Sequence, residues 1–164
     1  MPLFEVTRLS DFIYKWFERL DMLGIKILAF VIMPNHIHLL IYFPDCKYNL
    51  NRYISEGKRF MAYEVIKRLK LRKEVKILNL LMDNVSKTQR SLGQIHRVFE
   101  RSFDAKICYT RRFTEQKLNY IHSNPVSGKW NLVDDFAKFK HSSAGYYVLG
   151  DMSGFPVVDF HEYI

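Results

Sequence analysis

The chain has 164 residues, 48% hydrophobic and 26% charged, which is enough for one well-buried core and short for two. Thirteen Phe, ten Tyr and two Trp against seven Gly and five Pro exclude a disordered or low-complexity chain, because that much apolar mass offsets the entropy of ordering. The formal net charge of +8 suits a polyanionic partner.

The longest apolar stretch, Ile27 to Met33, is seven residues long and is followed by Pro34, far below the ~20 needed to cross a bilayer. Met1 to Thr7 carries Glu5 and has no basic start followed by an apolar core. No leader signal is visible in it, so a cytoplasmic protein with no membrane association is expected. Cys46 and Cys108 are 62 residues apart, a spacing that matches neither a disulfide framework nor a zinc site, and both read as ordinary thiols.

In chain order, only Pro2 to Arg8 precedes a helix capped by Ser10 and running from Asp11 to about Leu23, with Phe12, Ile13, Trp16, Phe17 and Leu20 at helical spacing and Gly24 as its stop. The β-branched and aromatic run from Gly24 to Met33, the Pro34-Asn35 pair and His36 to Phe43 read as a β-hairpin. Leu50, Ile54, Met61, Val65, Ile66 and Leu69 form the apolar stripe of a second helix. From Arg52 to Lys76 the chain holds nine basic and three acidic residues. That concentration fits either a solvated face or a surface that follows phosphates. A short helix over Glu74 to Met82, a flexible loop over Asp83 to Gly93, short strands at Gln94 to Phe99 and Asp104 to Tyr109, and a helix from Phe113 to Ser123 follow. The last must stop at Asn124, ahead of Pro125.

Strands and helices around one core give an α+β fold with an antiparallel sheet. One face of such a sheet can be left to water and could take an extended nucleic-acid strand. Residues 1–150 are expected to form the domain and 151–164 a C-terminal tail.

His36 and His38 stand at i and i+2 on the second hairpin strand, so both imidazoles leave the same face, within reach of one metal ion. Tyr120 and Asn124 are i and i+4 on a helix and share a face. A helix laid over the histidine strand would bring a phenolic and an amide oxygen to the same ion, an arrangement suited to phosphoryl transfer with a tyrosine nucleophile. Two satisfied strand histidines and a half-buried core tyrosine are the bland alternative.

The run Ala29-Phe30-Val31-Ile32-Met33-Pro34-Asn35-His36-Ile37-His38-Leu39-Leu40 resembles the signature of HUH-type single-tyrosine transposases, in particular the REP-associated tyrosine transposase branch. A second motif of that family is matched by Tyr120-Ile121-His122-Ser123-Asn124-Pro125-Val126, followed by Gly128 and by the pair Ser142-Ser143. The likeness covers roughly Ile25 to Tyr147. It implies a ferredoxin-like antiparallel sheet with helices packed on one face, and a first strand that is short or missing here. It implies that His36, His38 and Asn124 are metal ligands and that Tyr120 is the nucleophile. It also implies a divalent ion, usually magnesium or manganese, and single-stranded or hairpin DNA cut and rejoined through a 5′-phosphotyrosine. Both monomers and homodimers occur in the family. Imidazole donors tolerate manganese or zinc better than magnesium, so the residues themselves leave the metal open.

Arg52, Lys58, Arg59, Lys67 and Arg68 of the second helix, with Arg97, Arg101, Arg111 and Arg112 around the tyrosine helix, are the candidate phosphate contacts. The alternative function is a non-catalytic, domesticated or truncated module that binds hairpin DNA. A sheet lacking its first strand leaves backbone groups unmatched. The expectation is therefore that Leu3 to Arg8 or Phe155 to Phe160 takes a sheet position.

Overall fold

The computed structural model describes residues 1–44, 49–100 and 102–163. The fold is α+β. Its centre is the hairpin expected at Pro34-Asn35: β1 (Lys26–Ile32) pairs antiparallel with β2 (Ile37–Tyr42), with Val31 opposite His38 and Phe30 opposite Leu39, and a register irregularity between Ile27 and Ala29. β1 is almost wholly buried. A two-stranded sheet is at best marginal alone, and this one is held by packing on both faces.

On the first face lie α2 (Ser10–Met22) and α3 (Leu50–Leu71). Ile13, Phe17 and Leu20 of α2 meet Met61, Val65 and Leu69 of α3, with Ile37, Leu39 and Ile41 packed against them. The two helices approach closely at Gly57, where a Cβ would lie 2.5 Å from the Trp16 ring. On the second face α6 (Arg111–Ser123) presses Leu118 and Ile121 onto Leu28, Ala29, Val31 and Leu40. The sheet face expected to stay open for nucleic acid is therefore covered by α6 and the C-terminal residues.

The segment before α2 is not a short strand. Leu3–Thr7 is a helix, α1, with Leu3 and Phe4 buried and the Phe4 N–H donating to Pro34 O at 2.9 Å. Helix ends leave carbonyls without partners, and here α3 supplies them: Arg68 Nη1 donates to Thr7 O (3.2 Å) and Arg8 O (2.6 Å), and Arg72 Nη1 to Val6 O. Two guanidinium groups at a helix C-terminus also suit the helix dipole, which favours the helical state of these residues over an extended one.

The free edge of β1 is satisfied by distant residues. Ile32 N–H donates to His141 O (2.8 Å), Ser143 N–H to Phe30 O (3.0 Å), Tyr147 Oη to Leu28 O (2.9 Å) and Val158 N–H to Ile27 O (3.0 Å). The stretch Phe155 to Phe160 thus reaches the sheet through a single backbone bond rather than as a strand. Residues read as a tail are core: Phe155 stacks on Tyr14 (centroids 5.5 Å apart, planes within 6°) and sits edge-on to Phe17 at 5.4 Å, and Phe160 is buried.

Between these parts, α4 (Val75–Asp83) matches its expected position. The Asp83–Gly93 loop contains α5 (Lys87–Ser91), opened by a capping box in which Ser86 Oγ accepts from Gln89 N–H and Gln89 Oε1 accepts from Ser86 N–H. The strands expected at Gln94–Phe99 and Asp104–Tyr109 are not formed; both segments run without ladder partners among the described residues. A short α7 (Ala144–Leu149) follows the serine pair. Cys108 is a free thiol, and Cys46 lies outside the described residues. No helix among the described residues is long and apolar enough to cross a membrane.

His122, on α6, is buried and bonded to Ser143 Oγ at 2.9 Å; burial pushes its pKa down to about 4. The unfolded chain takes up this proton near pH 6.5 and the folded chain only near 4. Its contribution is therefore complete above about pH 6.5 and is lost as pH falls from there to about 4. We expect urea unfolding at about pH 7.5 and about pH 4.5 to show that loss, up to about 3 kcal/mol. His122→Gln should remove this share of the loss and leave that of His36, whose pKa is lowered to a similar value.

Candidate active site

His36 and His38 leave the same face of the hairpin, at the end nearest the turn, as strand alternation requires. Their Nε2 atoms are 3.1 Å apart. Two nitrogens bound to one ion at ~2.1 Å are about 3.0–3.4 Å apart in octahedral or tetrahedral geometry, so the spacing already matches shared ligation. Asn35 Oδ1 lies 2.7 Å from His36 Nδ1. Since a carbonyl oxygen only accepts, His36 carries its proton on Nδ1 and turns the Nε2 lone pair toward His38.

Burial first, then the neighbouring His38 and Lys129 charges, push the His36 pKa down to about 4. Burial also lowers His38, opposed by its hydrogen bond to Asn124. Neutral imidazoles at neutral pH are the ligating form.

Thr110 caps α6, its Oγ1 accepting from Phe113 N–H. The helix carries Tyr120 across to the histidines: the Tyr120 ring is edge-on to His38, centroids 5.3 Å apart, yet 55% exposed. Asn124 opens the 3-10 turn Asn124–Val126 that ends the helix, and its Nδ2 donates to Tyr120 O at 2.6 Å. The i, i+4 placement thus brings Tyr120, Asn124, His36 and His38 together as expected.

No group of three His, Cys, Asp or Glu side chains among the described residues could hold a metal. A cation here would rely on two imidazoles and one amide, a neutral set that leaves the ion its full charge to attract a phosphate. These donors fit manganese or a similar divalent ion, and magnesium less well.

Two residues not singled out in the sequence also belong to the site. Lys117 places Nζ 5.8 Å from the Tyr120 ring centroid and 5.0 Å from that of Phe113; its i−3 spacing from Tyr120 was a readable signal. Lys129 acts electrostatically on His36, and nothing in its sequence neighbourhood marks it.

The candidate phosphate contacts separate into groups. Arg68 is a structural residue, since besides holding α1 it pairs with Asp11 (Nη1–Oδ1 2.8 Å, Nη2–Oδ2 2.9 Å) and Glu64 (Nε–Oε1 2.8 Å). Lys58 donates to Glu100 O and Ser102 O. Arg52, Lys67 and Arg111 are exposed, each paired with a glutamate on its own helix, and Arg97 is paired with Glu100. Arg59 and Arg112 are exposed on α3 and α6; Arg101 lies outside the described residues. Since α3 packs on the sheet face opposite the histidines, its cations do not adjoin Tyr120, whereas Arg111 and Arg112 open the tyrosine helix itself.

The pair Ser142-Ser143 is structural as well, Ser143 Oγ accepting from Phe30 N–H (3.0 Å) and Ser142 Oγ from Ala144 N–H (3.1 Å). Arg68→Ala should cost about 1–3 kcal/mol by leaving buried and partly buried acceptors unpaired. Arg59→Ala should stay within about 0.5 kcal/mol. Denaturant midpoints of the two variants check the contrast.

Comparison with protein-family models, with curated proteins and with solved structures returns no match.

Proposed function

We propose that this chain is a metal-dependent single-stranded DNA endonuclease and strand transferase, of the kind found in HUH single-tyrosine transposases, REP-associated branch. The observation that carries the reading is the seating of an exposed tyrosine against a strand-borne pair of histidines whose Nε2 atoms are 3.1 Å apart, with Asn124 bonded to the Tyr120 carbonyl at the end of the same helix. When bound by His36, His38 and Asn124, a divalent ion such as manganese or magnesium supplies Lewis-acid polarisation of the phosphodiester.

The chain's own residues do the rest. Tyr120 Oη forms the new bond to phosphorus and gives up its proton. The P–O3′ bond breaks and the leaving 3′-oxygen takes up a proton. The 5′-phosphate stays on Tyr120 until a 3′-hydroxyl attacks it in the reverse sense, which rejoins the strand. Asn35 fixes the His36 ring, and Lys117 and Lys129 supply positive potential for a phosphate approaching Tyr120. Arg111 and Arg112 extend that potential along α6.

The test is incubation with hairpin oligonucleotides carrying a single-stranded flank. A protein–DNA adduct that survives denaturation is expected with manganese, lost with EDTA and restored by added metal. A sheet of two strands among the described residues favours the second reading, a non-catalytic hairpin-binding module; tight hairpin binding without adduct at any metal concentration would select it. Absence of both binding and adduct overturns the DNA reading altogether.

A further inference from the structure

Tyr120 and the histidine pair form the middle of a longer line of contacts. Phe113, Lys117 and Tyr120 follow at i, i+4 and i+7 on one face of α6. Lys117 Nζ lies 5.0 Å from the Phe113 ring centroid and 5.8 Å from that of Tyr120. The Tyr120 ring meets that of His38 at 5.3 Å, and His38 meets His36 at 4.7 Å, centroid to centroid. It is His36, not His38, that feels the charge of Lys129, and Lys129 Nζ in turn lies 5.2 Å from the Trp130 ring centroid. The line therefore closes on a cation–aromatic pair at each end.

The second pair is held there by its loop. Gly128 (φ +63°) and Asn131 (φ +36°) turn the chain, and Leu132 N–H donates to Pro125 O at 2.7 Å, so the loop carrying Lys129 and Trp130 closes directly after Asn124. Trp130 rests against the core cluster of Leu28, Val31 and Leu40, and its ring, like that of Phe113, is half-buried. Neither lysine is neutralised. Glu115, the one acidic side chain of α6, pairs with Arg111, and no carboxylate lies within ion-pair distance of Lys117 or Lys129 among the described residues.

We propose that the two pairs are nucleotide platforms for a single DNA strand lying across Tyr120: an unpaired base on one side of the scissile phosphate stacks on Phe113, an unpaired base on the other side stacks on Trp130, and Lys117 and Lys129 leave the rings for the adjoining backbone phosphates. The inference rests on the nuclease reading of the same site and narrows its substrate, because the phosphate attacked must then have an unpaired nucleotide on both sides. The exchange is favourable for both partners of each pair. A base stacked on an aromatic ring is held more strongly than an exposed ammonium over it, and an ammonium with no carboxylate gains a charged acceptor. A base inside a duplex has both faces covered by its neighbours and cannot reach a ring without being taken out of the stack. Every base has a π-face, so the platforms hold a strand without reading its sequence.

The experiment uses the full chain in EDTA, which separates binding from cleavage, with a dT oligonucleotide of twelve nucleotides. An abasic strand of the same length and a dT·dA duplex are the comparisons. Trp16 and Trp130 are the chain's two tryptophans, so a Trp130→Phe variant assigns any change in their fluorescence. The expected result with dT is saturable quenching in the unmodified chain, lost in Trp130→Phe, which keeps a ring and should bind within about twofold of the parent. Anisotropy should show at least fivefold weaker binding in Phe113→Leu, and at least tenfold weaker binding of the abasic strand and of the duplex. Lys117→Gln and Lys129→Gln should each lower the slope of log affinity against log salt by about 0.7. Absence of dT binding, binding without quenching, quenching that persists in Trp130→Phe, or an abasic strand or duplex that binds as tightly as dT each overturns the proposal. The quenching is read on the unmodified chain and does not depend on any variant folding. The adduct assay keeps the two readings apart. An adduct that forms equally well in Phe113→Leu and Trp130→Leu overturns the platforms and leaves the nuclease, whereas ring-dependent binding with no adduct at any manganese concentration supports the platforms and overturns the nuclease chemistry.

Discussion

Tyr120→Phe is expected to abolish the denaturation-resistant adduct, with a loss of about 10³-fold or more, because the atom that bonds to phosphorus is gone and no other hydroxyl among the described residues stands over the histidine pair. The fold should not notice. Tyr120 is more than half exposed, its hydroxyl has no hydrogen-bond partner among the described residues, and its bond with Asn124 runs through the backbone carbonyl. The melting temperature and hairpin affinity of the variant should therefore match the parent, which separates chemistry from binding. His36→Ala and His38→Ala should show the same loss of adduct together with weaker manganese binding by titration, since each removes one of only three donors. An adduct of undiminished yield in Tyr120→Phe would move the nucleophile elsewhere and overturn the assignment of Tyr120.

Removing residues 151–164 should unfold the protein. The deletion takes away Phe160, buried against Leu28, Leu118 and Ile121, and Phe155, which fills the space between Tyr14, Phe17 and Phe30. It also takes the Val158 donor from Ile27 O. Loss of one large core aromatic costs about 3–5 kcal/mol, so losing two approaches the whole stability of a small domain, about 5–15 kcal/mol. Circular dichroism and gel filtration of the shortened chain should show a non-cooperative, aggregating product, where Phe160→Ala alone gives a folded protein with a lowered melting temperature.

The parts legible in the sequence are those governed by local patterns. The hairpin with its Pro34-Asn35 turn, α2, the long α3 and the tyrosine helix rest on periodicity and breakers, and the four residues of the candidate site follow from two spacings, i to i+2 on a strand and i to i+4 on a helix. What was not legible depends on partners far along the chain. Leu3 to Thr7 is helical because the guanidinium groups of Arg68 and Arg72, about sixty residues later, donate to the carbonyls at its end. Arg68 itself looked like one more cation of a basic run, and its real neighbours, Asp11 and Thr7, are visible only once α3 lies against α1. Gln94 to Phe99 and Asp104 to Tyr109 have strand-like composition but no ladder to join among the described residues, because composition cannot say whether a neighbouring strand exists. The Ser86 capping box, by contrast, was written in the sequence as Ser-x-x-Gln and marks α5 without any tertiary help.

The edge of β1 that is closed by residues 141–143 and 158 has a consequence for synthesis. The hairpin itself closes in about 1–10 μs, but the groups that complete it lie more than a hundred residues downstream: Phe30 to Ser143 and Leu28 to Tyr147 are separated by 113 and 119 positions. At about 5–20 residues per second, a ribosome takes on the order of 6–25 s between releasing Ile32 and releasing Val158. For that interval the nascent chain presents Ile27 to Met33, its most apolar run, on a hairpin whose two edges are both unpaired. Yield in cells should accordingly follow the supply of chaperones that bind nascent chains and the temperature of induction, and slow, cool expression should recover protein that rapid expression loses to aggregates.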